Sequence, residues 1–535
     1  MFSITLPTVF LVLIVAVYLY VRKIFSYWQR IGIPYLKPKF PFGNFPNAIL
    51  QRTTFSEELQ NVYHKSNEPV LGIFTTLKPS ILVRDTRIIQ DILKTNFSSF
   101  NHRGWYGNEK IDPMAGNILL MNGVKWRQMK NVFSPAFTIG KLKGEWSAMF
   151  DVINGCGVSL NKFIDKYADS DETVEMREVA ACYTTNVISS VAFGLDVDCL
   201  ADERSDIRKY GHMFFNASFK NIIRANLAIM NPAFAKFLRL RFADKEVNDF
   251  FVETVRQNLE YRQKNNIARK DFFQMLIQLR TTGKIQEDGA DWHTDGTANA
   301  ERLTLEQMAA QAFFFFIGKF YQINIRIRHF ILKLHLGGYE SSSTTISFCL
   351  YELAKNPILQ QRAYDEIVQV LTAYNGEISF ESLNDMKFIE SCIDETLRMH
   401  PPFGVLTRQC TQNYKLPNSN AIIEKGTMIM LSVAGLQSDP KYYKNPEEFT
   451  PDRFSAAAVA DKTFFNMPIL TFGQGPRVCM GAQMGKLQVK IAIVHLLQRY
   501  VFELGSVHVD KKLKFHPKSL VKFAIGGINL KIKSR

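Results

Sequence analysis

The sequence predicts a mainly α-helical protein with small β-sheets and an N-terminal transmembrane anchor. Three observations carry this reading. Apolar residues recur at helical spacing over 85–95, 124–134, 177–193, 206–229, 245–265, 303–317, 341–355, 358–372 and 386–399. Short β-rich runs at 70–75, 79–84, 428–433 and 519–531 punctuate the helices. The stretch from Phe2 to Val21 is almost wholly apolar. Of the 535 residues, 46% are hydrophobic and 21% charged, enough for a buried core, which excludes global disorder. No internal repeat or long low-complexity tract points to a scaffold.

Taken in order, residues 2–21 (FSITLPTVFLVLIVAVYLYV) are followed at once by Arg22 and Lys23. Twenty residues at about 1.5 Å each span roughly the hydrocarbon core of a bilayer. Tyr18, Tyr20 and Trp28 suit the interfacial belt. A cleaved signal peptide would carry its charge before the apolar run. Here the cations follow it, which leaves the bulk of the chain in the cytosol. Residues 1–21 are therefore read as the anchor. Residues 22–48, basic and rich in proline (Pro34, Pro38, Pro41, Pro46), are read as a stiff extended linker, because each proline fixes φ. Composition shows no further boundary, so 49–535 is a single body. The 65 Lys+Arg against 50 Asp+Glu give +15, which asks for an anionic neighbour: nucleic acid, membrane surface or acidic protein. Seven cysteines without a CxxC pair exclude a zinc module and a disulfide framework.

The chemistry-bearing run lies near the C-terminus. Residues 472–481 read FGQGPRVCMG, with Phe472, Gly475, Arg477, Cys479 and Gly481 just before a helical stretch from Ala482 to Arg499. Glycines let a flat cofactor approach the backbone, and a helix N-terminus favours a thiolate. Arg477 can meet a carboxylate of the same cofactor. A thiolate held in this way suits haem iron, whereas most lone cysteines are ordinary buried thiols.

This run resembles the cysteine-ligand loop of the cytochrome P-450 superfamily, and the resemblance extends from the anchor to the terminal GGINLKI. The segments NEKIDPM, KWRQM, FSPAFTIGK, FCLYELAKNP and DPKYYKNPEEFTPDRF look like those of insect microsomal members of family 6. The resemblance implies the P-450 fold and haem (iron protoporphyrin IX) with Cys479 as axial metal ligand. Glu395 and Arg398 in ETLRMHPP, with Arg453 in PDRF, match a structural carboxylate–arginine network. Three residues apart on a helix, Glu395 and Arg398 share a face. Trp126 and Lys130 fall where the family keeps Trp-x-x-x-Arg for a haem propionate; lysine keeps the charge and loses the fork. Arg408 matches another propionate partner. Gly337-Gly338-Tyr339-Glu340-Ser341 resembles the oxygen-activation motif, with serine in place of threonine as the alcohol and Glu340 as the acid.

The resemblance further implies a monooxygenase that acts on lipophilic small molecules at the endoplasmic reticulum membrane, facing the cytosol, with no role for nucleic acid. NADPH and flavins would act only through a partner, NADPH-cytochrome reductase, with cytochrome b5 as a second candidate. Lys486 and Lys490 are candidate cations for that docking, against a plain solvated helix face. Two alternatives stay open: an oxygen-independent isomerase or dehydratase, and an inactive product.

The second alternative comes from residues 319–337, KFYQINIRIRHFILKLHLG. INIRIR and ILKLHL alternate with period two between helical flanks, and deletion joins FFFFIG to GYESSSTT. The segment holds Lys319, Arg326, Arg328 and Lys333 and no acid, too many cations for a second membrane span. Gly318-Lys319 can be encoded GGT-AAR and Leu336-Gly337 TTA-GGN, splice-compatible borders in one codon phase. The segment is expected to be a retained intron.

Overall fold

In the computed structural model, the described residues are 6–134, 147–202, 206–215, 224, 227–228, 232–269, 271–283, 286–287, 290–291, 302–317, 340–417, 419–461, 469–509, 513–517 and 521–535. Helix α1 (Leu6–Phe25) precedes seven helices that surround the site: α2 (Gly123–Phe133), α3 (Ser147–Ile164), α4 (Met176–Ile188), α5 (Leu305–Ile317), α6 (Glu340–Lys355), α7 (Lys387–Met399) and α8 (Ala482–Arg499). Helix α6 is buried all round, every residue from Ser342 to Ala354 included, because α4, α7 and α8 pack on it from different sides. Two of its hydroxyls bond back into the helix, Thr345 to the Ser341 carbonyl at 2.6 Å and Ser347 to the Thr344 carbonyl at 3.0 Å, while those of Ser343 and Thr344 are buried without a partner among the described residues. At the start of α7 the Glu366 carboxylate accepts the N–H groups of Phe388 and Ile389, satisfying two donors that the helix itself leaves open.

A four-stranded sheet packs beside the helices. It comprises β1 (Val70–Thr75), β2 (Lys78–Val83), β3 (Val405–Gln409) and β4 (Met428–Ser432), in the order β1-β2-β4-β3. The first pair is a hairpin, β2 and β4 run parallel, and β3 returns antiparallel with Arg408 opposite Ile429. A second sheet joins β5 (Tyr500–Leu504) and β6 (Asn529–Ser534) to residues 174–175, which tie the chain end to α4.

Two expectations change, and a third lies partly outside the described residues. The predicted strand at 519–531 begins only at Asn529, since 521–528 are irregular. The predicted helix at 206–229 is described only in part, as Asp206–Phe215. The proline-rich stretch 22–48 is not a free extended spacer. Trp28 is fully buried, donates its indole N–H to the Ile73 carbonyl at 3.0 Å, and shares a core with Ile33, Phe45 and the sheet. Burial of two aromatic rings and a strand contact outweighs the proline preference for an extended path. Helix α1 is long and apolar enough to cross a membrane, and its apolar side chains are exposed. Residues 319–337 lie outside the described residues.

Candidate active site

The predicted carboxylate–arginine network is assembled within the core. Arg398 Nε and Nη2 donate to the two oxygens of Glu395 at 2.7 and 2.9 Å, and Arg453 Nε donates to the same carboxylate at 3.1 Å. The Thr450 N–H adds a fourth donor, while Arg398 Nη1 reaches the Gln437 carbonyl at 2.8 Å. All three side chains are almost completely buried, so each charge depends on the others for solvation. Arg398→Ala leaves the Glu395 carboxylate short of two donors and is expected to cost about 3–5 kcal/mol of stability. The check is the yield of folded protein and its thermal midpoint. Normal values of both with turnover selectively lost would contradict a structural role.

The cysteine loop folds as a tight turn before α8. Gly475 has a φ of +70°, and a Cβ there would stand 1.8 Å from the Leu93 carbonyl oxygen, so only glycine fits. The Cys479 N–H donates to the Phe472 carbonyl at 2.9 Å. Cys479 lines a large cavity together with Phe472, Arg477, Gly481, Trp126, Lys130, Arg408 and Ser341. Of the sequence-predicted cofactor residues, Gly475 is the exception among the described residues. It shapes the turn against Leu93 and does not line the cavity. Glu340 is the first residue of α6, and its side chain lies outside the described residues.

The cavity's electrostatics are one-sided. Arg103, Lys130, Arg408, Arg477 and Lys486 line it, and among the described residues its lining holds no Asp or Glu, though Lys486 is paired with Asp394 outside the lining. Burial, then repulsion from Arg103 and Arg408, pushes Arg477 down to about 7. Burial, then Arg103, pushes Arg408 down to about 9. Burial takes Arg103 to about 10, with Cys479 opposing. Lys130 is lowered by burial and then by Arg477. Arginine holds its proton in proteins, so this mutual repulsion is expressed as affinity for an anion. Arg477 Nη1, Arg408 Nε and the Trp105 indole N–H are buried without a partner. These are donors waiting for acceptors. The Arg477 guanidinium also lies 3.8 Å over the Trp126 ring, with Lys130 at 5.7 Å.

A flat, apolar group with two carboxylates and a metal that accepts thiolate fits this donor set. Haem is such a group. Sequence reasoning missed Arg103 and Trp105, which lie in an irregular stretch without periodic signal. It also missed the bond from Gln488 Nε2 of α8 to Ser342 Oγ of α6, 2.6 Å long at the cavity wall. The two proposed docking lysines are corrected. Lys486 pairs with Asp394 at 2.6 Å, and Lys490 is buried and pairs with Glu390 at 3.5 Å, so neither is a free surface cation.

The family model described as Cytochrome P450 matches residues 34–318 and 324–529. The chain belongs to the cytochrome P450 family. It is 33% identical over 520 residues to "Probable cytochrome P450 6d5" of Drosophila melanogaster, covering 97% of this chain and 95% of that protein. "Cytochrome P450 6d3" of Musca domestica is 30% identical over 535 residues, with 98% of each covered. "Cytochrome P450 6k1" of Blattella germanica is 32% identical over 493 residues, covering 91% and 89%. The fold is thus the P450 fold, the cofactor is haem with a cysteine thiolate, and the chain is an oxidoreductase of the monooxygenase type. The gap between the two matched blocks, 319–323, opens where the unusual segment begins.

Proposed function

We propose that this P450 inserts one atom of O2 into lipophilic small molecules, with NADPH electrons delivered by a flavoprotein reductase at the cytosolic face of the endoplasmic reticulum. Cytochrome b5 is a second electron donor of suitable class. The observation that carries the reading is the set of cations beside Cys479, with Arg408 and Arg477 buried and Arg103 and Lys130 half-buried, in a lining without Asp or Glu among the described residues. Bound haem supplies the activation of O2, with overall balance RH + O2 + NADPH + H⁺ → ROH + H2O + NADP⁺.

The chain's own residues do the rest. Cys479, just before α8, would supply the thiolate that holds the haem iron. Arg103, Arg408, Arg477 and Trp105 would hold the propionates of bound haem, and Lys130 would contribute charge without a bidentate fork. Phe314, Phe315 and Ile118 make the wall apolar and keep water out, which suits a lipophilic substrate. Ser341, at the cavity, relays protons from the Glu340 side of α6. Substrate-stimulated NADPH oxidation with added reductase, scored against a panel of lipophilic compounds, tests the function. No turnover of any compound by the haem-loaded form lacking 319–337 would overturn it.

The serine makes a sharper expectation. Without the γ-methyl of threonine its rotamer is less restricted, so part of the reducing power is lost as peroxide. Ser341→Thr, in a form lacking 319–337, is expected to raise the fraction of NADPH recovered as product about twofold, an order of magnitude set by one rotamer choice among three. Ser341→Ala should lower it. An unchanged fraction in Ser341→Ala would remove the hydroxyl from the relay.

We further propose that residues 319–337 are absent from the working enzyme. Helices α5 and α6 both reach the cavity, through Phe314 and Phe315 on one side of the segment and Ser341, Ser342 and Thr345 on the other.

A further inference from the structure

A second concave site lies where α1 meets the segment that follows it. Ile14, Val17 and Val21 of α1 form its apolar part, and Arg22, Ser26 and Gln29 its polar part. Lys37, from the folded-back proline-rich stretch, closes the polar end. The space is about 600 Å³, the size class of small-molecule sites. Its lining is apolar from Ile14 to Val21, and from Arg22 on polar groups join it beside Phe25, Tyr35 and Phe40. From Ile14 to Arg22 is about 12 Å at the helical rise, the kind of distance over which acyl chains give way to headgroups.

The charge is as one-sided as the gradient is ordered. Residues 1–56 contain no Asp or Glu, while Arg22, Lys23, Arg30, Lys37, Lys39 and Arg52 are all basic. Arg22 and Lys37 are exposed, and among the described residues neither has a carboxylate within ion-pair distance. Glu424, reaching this face from the body of the protein, is engaged by the Tyr27 hydroxyl. We propose that the groove binds one phospholipid with an anionic headgroup, its charges on Arg22 and Lys37 and its chains along Ile14, Val17 and Val21. The lipid would fix the angle at which the body sits on the membrane. The proposal rests on the reading of α1 as a membrane anchor.

The test places the full chain in phosphatidylcholine bilayers with trace spin-labelled phosphatidylserine or spin-labelled phosphatidylcholine. The readout is the motionally restricted fraction of each label, with the haem absorbance as a control for folding. Wild type is expected to restrict phosphatidylserine about 25-fold more than phosphatidylcholine, at about fivefold for each of the two engaged cations. Arg22→Gln with Lys37→Gln should bring that ratio near one, while Lys23→Gln with Arg30→Gln should leave it high. A ratio near one in bilayer-bound wild type overturns the lipid site and leaves the anchor standing. Equal sensitivity to the two double variants also overturns it, since diffuse surface charge would then be the cause. Protein that does not stay with the bilayer at all overturns the anchor reading, and the site with it.

Discussion

Cys479→Ala is expected to abolish the red-shifted Soret band of the reduced carbon-monoxide complex and, with it, substrate turnover. The expectation is specific because the other six cysteines offer no substitute. All seven are free. Burial pushes the thiols of Cys156 and Cys349 up to about 12 and that of Cys410 up to about 11, so these stay protonated. Among the described residues only Cys479 lines the cavity. Its removal keeps Arg103, Arg408 and Arg477 in place, so the anion-binding edge survives while the proposed thiolate ligand is lost. Some haem uptake without the thiolate band is therefore the expected signature, and Cys410→Ala should leave the wild-type spectrum intact. A thiolate-type band in Cys479→Ala, or a histidine-type band in intact wild type, would remove the assignment.

The parts of this site that follow a local rule could be read from the sequence. Glu395 and Arg398 share a helix face by spacing alone, and the cysteine loop announces itself through glycines at fixed offsets. The parts that depend on distant chain could not. Arg103 and Trp105 reach the cavity from a stretch held by pairing of His102 with Gln409, some three hundred positions away. Strands β3 and β5 are five residues each, and β5 follows α8 without a break, so neither has room for a pattern of its own. Helix α3 carries Gly155 and Gly157, which weaken its helical signal. The reason for Gly157 is tertiary: a Cβ there would come within 2.3 Å of the His495 ring on α8. Trp28 was legible as an interfacial aromatic and is instead the centre of the second core, because β1 offers it an acceptor.

Deletion of 319–337 is expected to raise substrate turnover on the order of 100-fold over the full chain, the scale of effect that small misplacements of reacting groups produce. The geometry of the cavity argues for this independently of the coding borders. Phe315 and Ser341 are 26 positions apart, and one unbroken helix would separate them by about 39 Å. Yet both line one cavity. Removing 19 positions leaves seven, two helical turns, or about 10 Å. Ser341, Ser342 and Thr345 then stand at i+7, i+8 and i+11 from Phe315, on a single helix face. That is the arrangement of a continuous helix that presents two aromatic rings and three hydroxyls to the same space. Period two between two period-3.6 flanks has no place in such a helix. Glu340 and Ser341 would be set by hydrogen bonds running unbroken from α5, and the acid–alcohol pair would gain a fixed position. Transcripts sequenced across the junction should include a form without the 57 nucleotides, and its product should carry the activity. If every mature transcript keeps them and the full-length chain turns over substrate as fast as the deleted form, the segment is a genuine part of the enzyme.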